Sequence, residues 1–139
     1  MARLGTSLLG AAPISVDGAL LVLRLAFGLG IALAHGLPKL LDLGKFTANV
    51  TRQGMPLPEL LAPLAMLSEF AGGLLLALGL LTRPAAFFVL VTMLVAGLHV
   101  HAADPFPRKE LAFAYAAVAV ALLLAGPGRY SVDARLRRG

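Results

Sequence analysis

Four ionisable side chains lie within long apolar stretches of the sequence, and these four are Arg24, His35, Glu69 and His99. An ionisable group in bilayer hydrocarbon costs about 2.5–3.5 kcal/mol on insertion scales, so each of them requires an explanation. Glu69 is the strongest indication, because it lies deep in its stretch and its neighbours Leu67 and Phe70 are apolar. A carboxyl group there can relay protons, hydrogen-bond a quinone carbonyl, bind a metal ion, or form a structural hydrogen bond between helices.

Glu69 is either protonated or paired, and the sequence offers three partners. The long side chain of Arg24 either extends back to the lipid headgroups or reaches inward to Glu69. His35 and His99 lie near the ends of their stretches, where each can bond a backbone carbonyl or water. Alternatively, the two histidines and Glu69 form a cluster that binds a quinone, a haem or a divalent metal ion. Haem is disfavoured, because the histidines all lie close to one membrane interface.

Four stretches must position these residues. A helix that crosses the bilayer needs about 20 mostly apolar residues at about 1.5 Å each, and the stretches that qualify are 19–37, 58–81, 84–100 and 110–126. Pro38 is predicted to end the first helix. Only Thr82-Arg83 joins the second to the third, so these two form an antiparallel pair. We predict an all-α integral membrane four-helix bundle with up-down topology, forming one domain over residues 1–139.

The connection after the first helix has a regular pattern. From Lys39 to Arg52, polar residues recur every three or four positions, with leucine, phenylalanine and valine between them. This spacing predicts a short amphipathic helix that lies in the headgroup region between helices one and two. The alternative is an ordinary ordered loop.

The composition excludes several classes of protein. Of the 139 residues, 59% are hydrophobic and 14% are charged, whereas an ordinary soluble domain has about 25% charged residues. The chain has no cysteine, which excludes a cysteine nucleophile and any thiolate-bound metal or iron–sulfur cluster on this chain. The residues outside the four stretches fall in five pieces, none large enough for a soluble catalytic domain. Any chemistry therefore lies inside the bundle or belongs to partner proteins.

The charge distribution bears on partners and orientation. The formal net charge is +5, and the basic residues flank apolar stretches, which favours contact with anionic lipid headgroups over nucleic acid. Six basic residues fall on the side of the termini and five on the other side, which predicts cytoplasmic termini. Small residues recur along the helices, and such stripes indicate close packing within the bundle or, alternatively, a homo-oligomer.

The order of several motifs resembles the DoxX family of small bacterial and archaeal membrane proteins. The resemblance covers about residues 20–134 and rests on Leu23-Arg24 with Gly28, His35-Gly36-Leu37-Pro38-Lys39, Phe46, Gly54, Pro56, Glu69-Phe70-Ala71-Gly72-Gly73, Leu78-Gly79-Leu80-Leu81-Thr82-Arg83, Gly126-Pro127-Gly128 and Ser131-Val132-Asp133. It implies a multi-pass, four-helix protein of a bacterial or archaeal inner membrane. The family's naming member belongs to a quinol oxidase system, and a related branch forms the membrane part of thiosulfate:quinone oxidoreductase.

We therefore expect a membrane subunit of a quinone-linked redox assembly that anchors a partner oxidoreductase. Counted along the helices, one residue of each falls in a common layer beyond the midplane: His35, Glu69, His99 and Tyr115. This layer is expected to bind a quinone with Arg24 as counter-charge, and Glu69 and His99 are expected to relay protons. One alternative is a structural membrane anchor or assembly factor without chemistry of its own. Another is an oligomeric transporter of protons or a small solute, with Glu69 as its coupling acid. Whether the chain is itself an enzyme stays open.

Overall fold

The computed structural model describes residues 15–139, and all of the regular secondary structure in this range is helical. Within residues 15–139, six helices follow one another: α1 Val16–Leu41, α2 Leu43–Arg52, α3 Pro58–Leu78, α4 Thr82–Val100, α5 Phe106–Ala125 and α6 Val132–Leu136. The all-helical prediction is confirmed. Arg3, which the sequence places on the side of the termini, lies outside the described residues.

Three helices are long and apolar enough to cross a membrane, namely α1, α3 and α4. The fourth predicted span falls on α5, whose first turns carry Arg108, Lys109 and Glu110. Its apolar part, 111–125, is roughly 22 Å long at the rise of an α-helix, shorter than a hydrocarbon core of about 30 Å. The described part of the chain therefore contains three helices that are long and apolar enough to cross a membrane and one with a shorter apolar part, which packs against α4 and α1.

The first helix does not end where the sequence predicts. Pro38 lacks an N–H, and its ring crowds the carbonyl four residues earlier, which normally breaks a helix. Here the backbone over Ile31–Gly36 is π-helical, and the N–H of Leu37 donates to the carbonyl of Ala32, five residues back. The wider turn accommodates the proline ring, so α1 continues to Leu41 and carries Lys39 with it.

The link between α3 and α4 also differs from its predicted position. We predict a helix to residue 81 and a link of Thr82-Arg83, but α3 ends at Leu78 and α4 begins at Thr82. Gly79 ends α3 because it adopts a left-handed backbone with φ of 68°, which glycine tolerates without strain. Leu81 has a φ of 48°, so the link turns sharply and α4 can return beside α3.

The amphipathic segment forms α2, as the periodicity predicts, although it begins only at Leu43. The carboxylate of Asp42 caps it by accepting a hydrogen bond of 3.0 Å from the N–H of Lys45, a typical N-cap contact. Val50 is buried on the side of α2 that packs against α3. The headgroup position of this helix stays a prediction.

Backbone-to-backbone contact joins α1 to α3. A Cβ atom built on Gly28 would lie 2.6 Å from the carbonyl oxygen of Gly73 and 2.7 Å from the nitrogen of Ala77. Small residues that let helix backbones approach this closely are typical of membrane proteins. Beside this contact, an apolar core formed by residues of four helices includes Ile31, Leu76, Val89 and Leu122.

Gly28→Ala is expected to destabilise the protein by about 2 kcal/mol, because the added methyl meets backbone atoms of α3 that cannot rotate away. Gly44→Ala is the matched control, since a Cβ there has only one neighbour, Asp42, at 4.0 Å, and alanine favours a helix over glycine by up to about 1 kcal/mol. Thermal unfolding of the two variants in detergent checks this prediction. Equal stability of the two variants would contradict it.

Candidate functional site

The buried carboxylate of Glu69 pairs with Lys39. Oε2 of Glu69 accepts a hydrogen bond from Nζ of Lys39, and the two side chains are 4% and 25% exposed. Lys39 Nζ also lies 4.6 Å from the ring centroid of Phe46, a cation–π contact with α2. The sequence predicts Arg24, His35 or His99 as the partner of Glu69, and the structure corrects this. The sequence does not indicate Lys39 as the partner, because it predicts that the helix ends at Pro38, one residue earlier.

Close contact between α1 and α3 positions the Lys39–Glu69 pair. Gly36 packs directly on the backbone of Phe70, the residue after Glu69. Any side chain at position 36 would push the two helices apart, so the absence of a Cβ holds the last turns of α1 against α3. One helical turn beyond this contact region, Lys39 is close enough to reach the carboxylate.

His35 and Tyr115 meet between α1 and α5. Their ring centroids lie 5.7 Å apart in an edge-to-face arrangement with an interplanar angle of 81°. Tyr115 makes a second edge-to-face contact with Phe27 at 5.5 Å, and its hydroxyl lies 3.0 Å from a Cβ built on Gly30. Since His35 lies one turn before Lys39, α1 carries both the contact with Tyr115 and the ion pair with Glu69.

His99 lies apart from this cluster. It falls in the π-helical last turns of α4, Ala96–Val100, and it is exposed. Its side chain forms no hydrogen bond with any residue of 15–139, and α4 is tied to α3 by the 2.8 Å hydrogen bond that the hydroxyl of Thr92 donates to the hydroxyl of Ser68. Within the described residues, no group of three His, Cys, Asp or Glu side chains is arranged to hold a metal ion.

Arg24 lies at the other end of the helices, where it neither extends to the surface nor pairs with Glu69. Its side chain is fully buried, so it does not extend to the headgroups, and Nη2 donates a hydrogen bond of 2.6 Å to the carbonyl oxygen of Tyr130. Gly79 leaves room for the guanidinium, because a Cβ there would overlap it. Nε and Nη1 of Arg24 have no hydrogen-bond partner among residues 15–139.

Residues 126–136 after α5, here called the C-terminal clasp, connect the ends of three helices. Asp133 accepts hydrogen bonds of 2.9 Å from the N–H groups of Leu81 and Thr82 and one of 2.8 Å from the Thr82 hydroxyl. Its own N–H donates to the carbonyl of Gly79 at 2.9 Å. The N-cap residue of α4, Leu81, has no side chain that can cap the helix. Asp133 therefore caps the N-terminus of α4 from elsewhere in the chain. The N–H of Arg129 completes the clasp by donating to Asp17 at the start of α1, at 2.8 Å.

The environment of Asp133 changes its pKa. Burial raises the pKa, but the hydrogen bonds from Thr82 and Leu81 favour the carboxylate and lower it further, so the net pKa lies below the ordinary value. A carboxylate whose pKa is lower in the folded state stabilises the fold fully above its unfolded pKa, about 3.9. This stabilisation is lost as the pH falls through the lower folded pKa.

Asp133→Asn is therefore expected to reduce stability by about 1 kcal/mol at pH 7, because the amide cannot accept all three hydrogen bonds. Below about pH 4 the variant should lose less further stability than the unsubstituted chain, since it has no charge to lose at this position. Urea or thermal unfolding followed between pH 3 and pH 7 checks both expectations. Asp42→Asn, which removes a carboxylate with one backbone donor, serves as the control. Parallel pH profiles of Asp133→Asn and the unsubstituted chain would contradict the assignment.

The comparisons with known proteins place the chain in a family. The sequence model of the DoxX family matches residues 19–102, which is 84 of the 139 residues and includes nearly all of α1 to α4. No curated protein and no solved structure matches the chain. The matched part contains Arg24, Gly28, His35, Lys39 and Glu69 of α1 and α3, together with Gly79, which ends α3. The chain belongs to the DoxX family.

Proposed function

We propose that this DoxX protein is a membrane subunit of a quinone-linked redox assembly that anchors a partner oxidoreductase in a bacterial or archaeal inner membrane. In this proposal α5 completes an up-down bundle of four spans, and the slight excess of basic residues on the side of the termini keeps that side cytoplasmic. The observation that carries the proposal is the buried ion pair of Lys39 and Glu69.

A buried ion pair is a costly way to hold two helices together. Removing two charges from water costs several kcal/mol per ion, and apolar residues of similar volume often stabilise a protein as well or better. The pair also lies on helices that are long and apolar enough to cross a membrane, where ionisable groups indicate proton or ligand pathways. Unequal exposure of the partners, 25% for Lys39 and 4% for Glu69, gives the carboxylate a route for proton exchange through the ammonium.

The side chains near this pair suit a quinone chemically. The imidazole of His35 and the hydroxyl of Tyr115 can donate hydrogen bonds to carbonyl oxygens, and Glu69 can take up or deliver a proton through Lys39. A bound quinone would supply the two-electron chemistry. It would approach from the bilayer, because the lipid-facing side of α1 exposes Leu33 and Ala34 beside the partly exposed His35. Arg24 and His99 are not part of this proposal, because both lie apart from the ion pair.

A second candidate is a structural anchor without chemistry, and one observation favours it. The Lys39–Glu69 pair links α1 to α3 just as the C-terminal clasp links α1, α3 and α4 at the opposite end. In that case the pair contributes only to packing. Variants that separate charge from packing distinguish these two functions.

Glu69→Gln is expected to lower quinone-linked turnover by about 100-fold, the usual loss when a proton-transfer group is removed, while assembly persists. The protein is purified with its partners from native membranes in mild detergent, the partner chains are identified by mass spectrometry, and reduction of decylubiquinone by the assembly is measured. Glu59→Gln is the matched control, because Glu59 is an exposed glutamate in the first turn of the same helix. Unchanged turnover in Glu69→Gln would overturn the proposal.

The double variant Lys39→Met with Glu69→Leu tests the structural alternative. Replacing both partners by apolar residues leaves no unpaired charge, so the assembly should remain intact. If the pair moves protons, this double variant assembles but stays inactive. If the pair is only structural, the double variant recovers the turnover that Glu69→Gln alone disturbs.

A further inference from the structure

A cleft of about 360 Å³ opens between the start of α1, the end of α3 and the C-terminal clasp. Leu21 and Leu78 form its apolar wall, and Arg129, Tyr130 and Arg135 form its polar rim. Leu78 is 58% exposed and Tyr130 is 53% exposed. The walls therefore face the surroundings of the protein, so an external molecule can cover them.

The arginines of the rim carry charge that the chain does not neutralise. Neither Arg129 nor Arg135 forms an ion pair with any residue of 15–139, and residues 1–14 contain no aspartate or glutamate that could supply one. The guanidinium of Arg129 lies 5.6 Å from the ring centroid of Tyr130, and this contact orients it at the rim.

The charge around the cleft is strongly positive. Only two side-chain carboxylates of residues 15–139 lie at this end, Asp17 and Asp133, and both accept hydrogen bonds from backbone N–H groups of the clasp or of the start of α4. The guanidinium of Arg24 adds a cation directly behind the rim, because it bonds the carbonyl of Tyr130. The exposed arginines at this end are Arg83, Arg129, Arg135, Arg137 and Arg138.

We propose that this cleft binds one anionic phospholipid of the leaflet on the side of the termini. Arg129 and Arg135 bind the phosphodiester, and an acyl chain covers Leu21 and Leu78. The apolar wall identifies a lipid rather than a soluble phosphate, because Leu21 lies about 8 Å along α1 from its first residue, at the boundary between headgroups and acyl chains. Basic pockets between membrane helices are suited to anionic headgroups, and the unneutralised charge favours these over zwitterionic lipids.

The chain contains no tryptophan, so Tyr130→Trp places a single fluorescent reporter at the rim. The full chain with this substitution is reconstituted in phosphatidylcholine vesicles that contain increasing fractions of brominated phosphatidylglycerol or brominated phosphatidylcholine. We expect half-maximal quenching at a roughly five- to tenfold lower fraction of the brominated phosphatidylglycerol. Equal quenching by the two lipids would overturn the proposal.

Two double variants in the same background separate the cleft from general surface charge. Arg129→Gln with Arg135→Gln should reduce the preference to about twofold or less, whereas Arg83→Gln with Arg138→Gln removes the same charge outside the cleft and should keep it. Equal loss in both double variants would show attraction to the surface without a site. Relief of quenching by millimolar inorganic phosphate would assign the arginines to a soluble anion instead.

If Tyr130→Trp does not fold, native mass spectrometry of the unsubstituted chain tests the proposal. Selective retention of phosphatidylglycerol supports the site, and equal retention of phosphatidylcholine rejects it.

Discussion

Bilayer hydrocarbon offers no hydrogen-bond partner, so every polar group that enters it must find one within the protein. Several polar side chains of the long helices of this chain bond a neighbouring segment, although Nε and Nη1 of Arg24 have no partner among residues 15–139. Arg24 of α1 reaches a carbonyl of the C-terminal clasp, Lys39 of α1 reaches Glu69 of α3, and Ser68 of α3 meets Thr92 of α4. Together with the close glycine contacts between α1 and α3, these ties specify which segments are neighbours, because both polar bonds and small-residue packing direct helix association in lipid.

The two ends of the molecule meet this constraint with different chemistry. At the end of the termini, Asp133 binds backbone N–H groups and Arg24 binds a backbone carbonyl, and both contacts depend on the glycine at position 79. In each of these contacts only one partner is a side chain that can titrate, and the other is a backbone group. At the other end the partners are two ionisable side chains, one of them partly exposed. We place the proposed proton transfer at this end, because both members of the pair are ionisable side chains and Lys39 is partly exposed.

The sequence predicts the helices and the amphipathic segment well, because hydrophobic periodicity and length indicate them directly. The sequence does not identify the hydrogen-bond partners of the buried polar side chains. Every residue has a backbone carbonyl, so nothing in the sequence marks the carbonyl of Tyr130 as the partner of Arg24. Counting about 1.5 Å per residue estimates depth but not the direction in which a side chain points, and His99 therefore matches Glu69 in estimated depth while lying exposed on α4. Asp133 belongs to a motif that the family resemblance includes, but its role as a cap for α4 requires the fold.

The partner of Glu69 depends on an irregularity of the backbone. A π-helical turn contains more residues than an α-helical turn, and one added residue rotates all later side chains by about 100°. The segment Ile31–Gly36 lies between the α-helical part of α1 and Lys39, so the face on which Lys39 lies cannot be derived from the periodicity of residues 16–30. The same segment places His35 against Tyr115. A pattern read with a constant value of about 3.6 residues per turn gives wrong side-chain directions after a π-helical segment. In α1 this affects the residues whose side chains contact α3 and α5, namely Lys39 and His35.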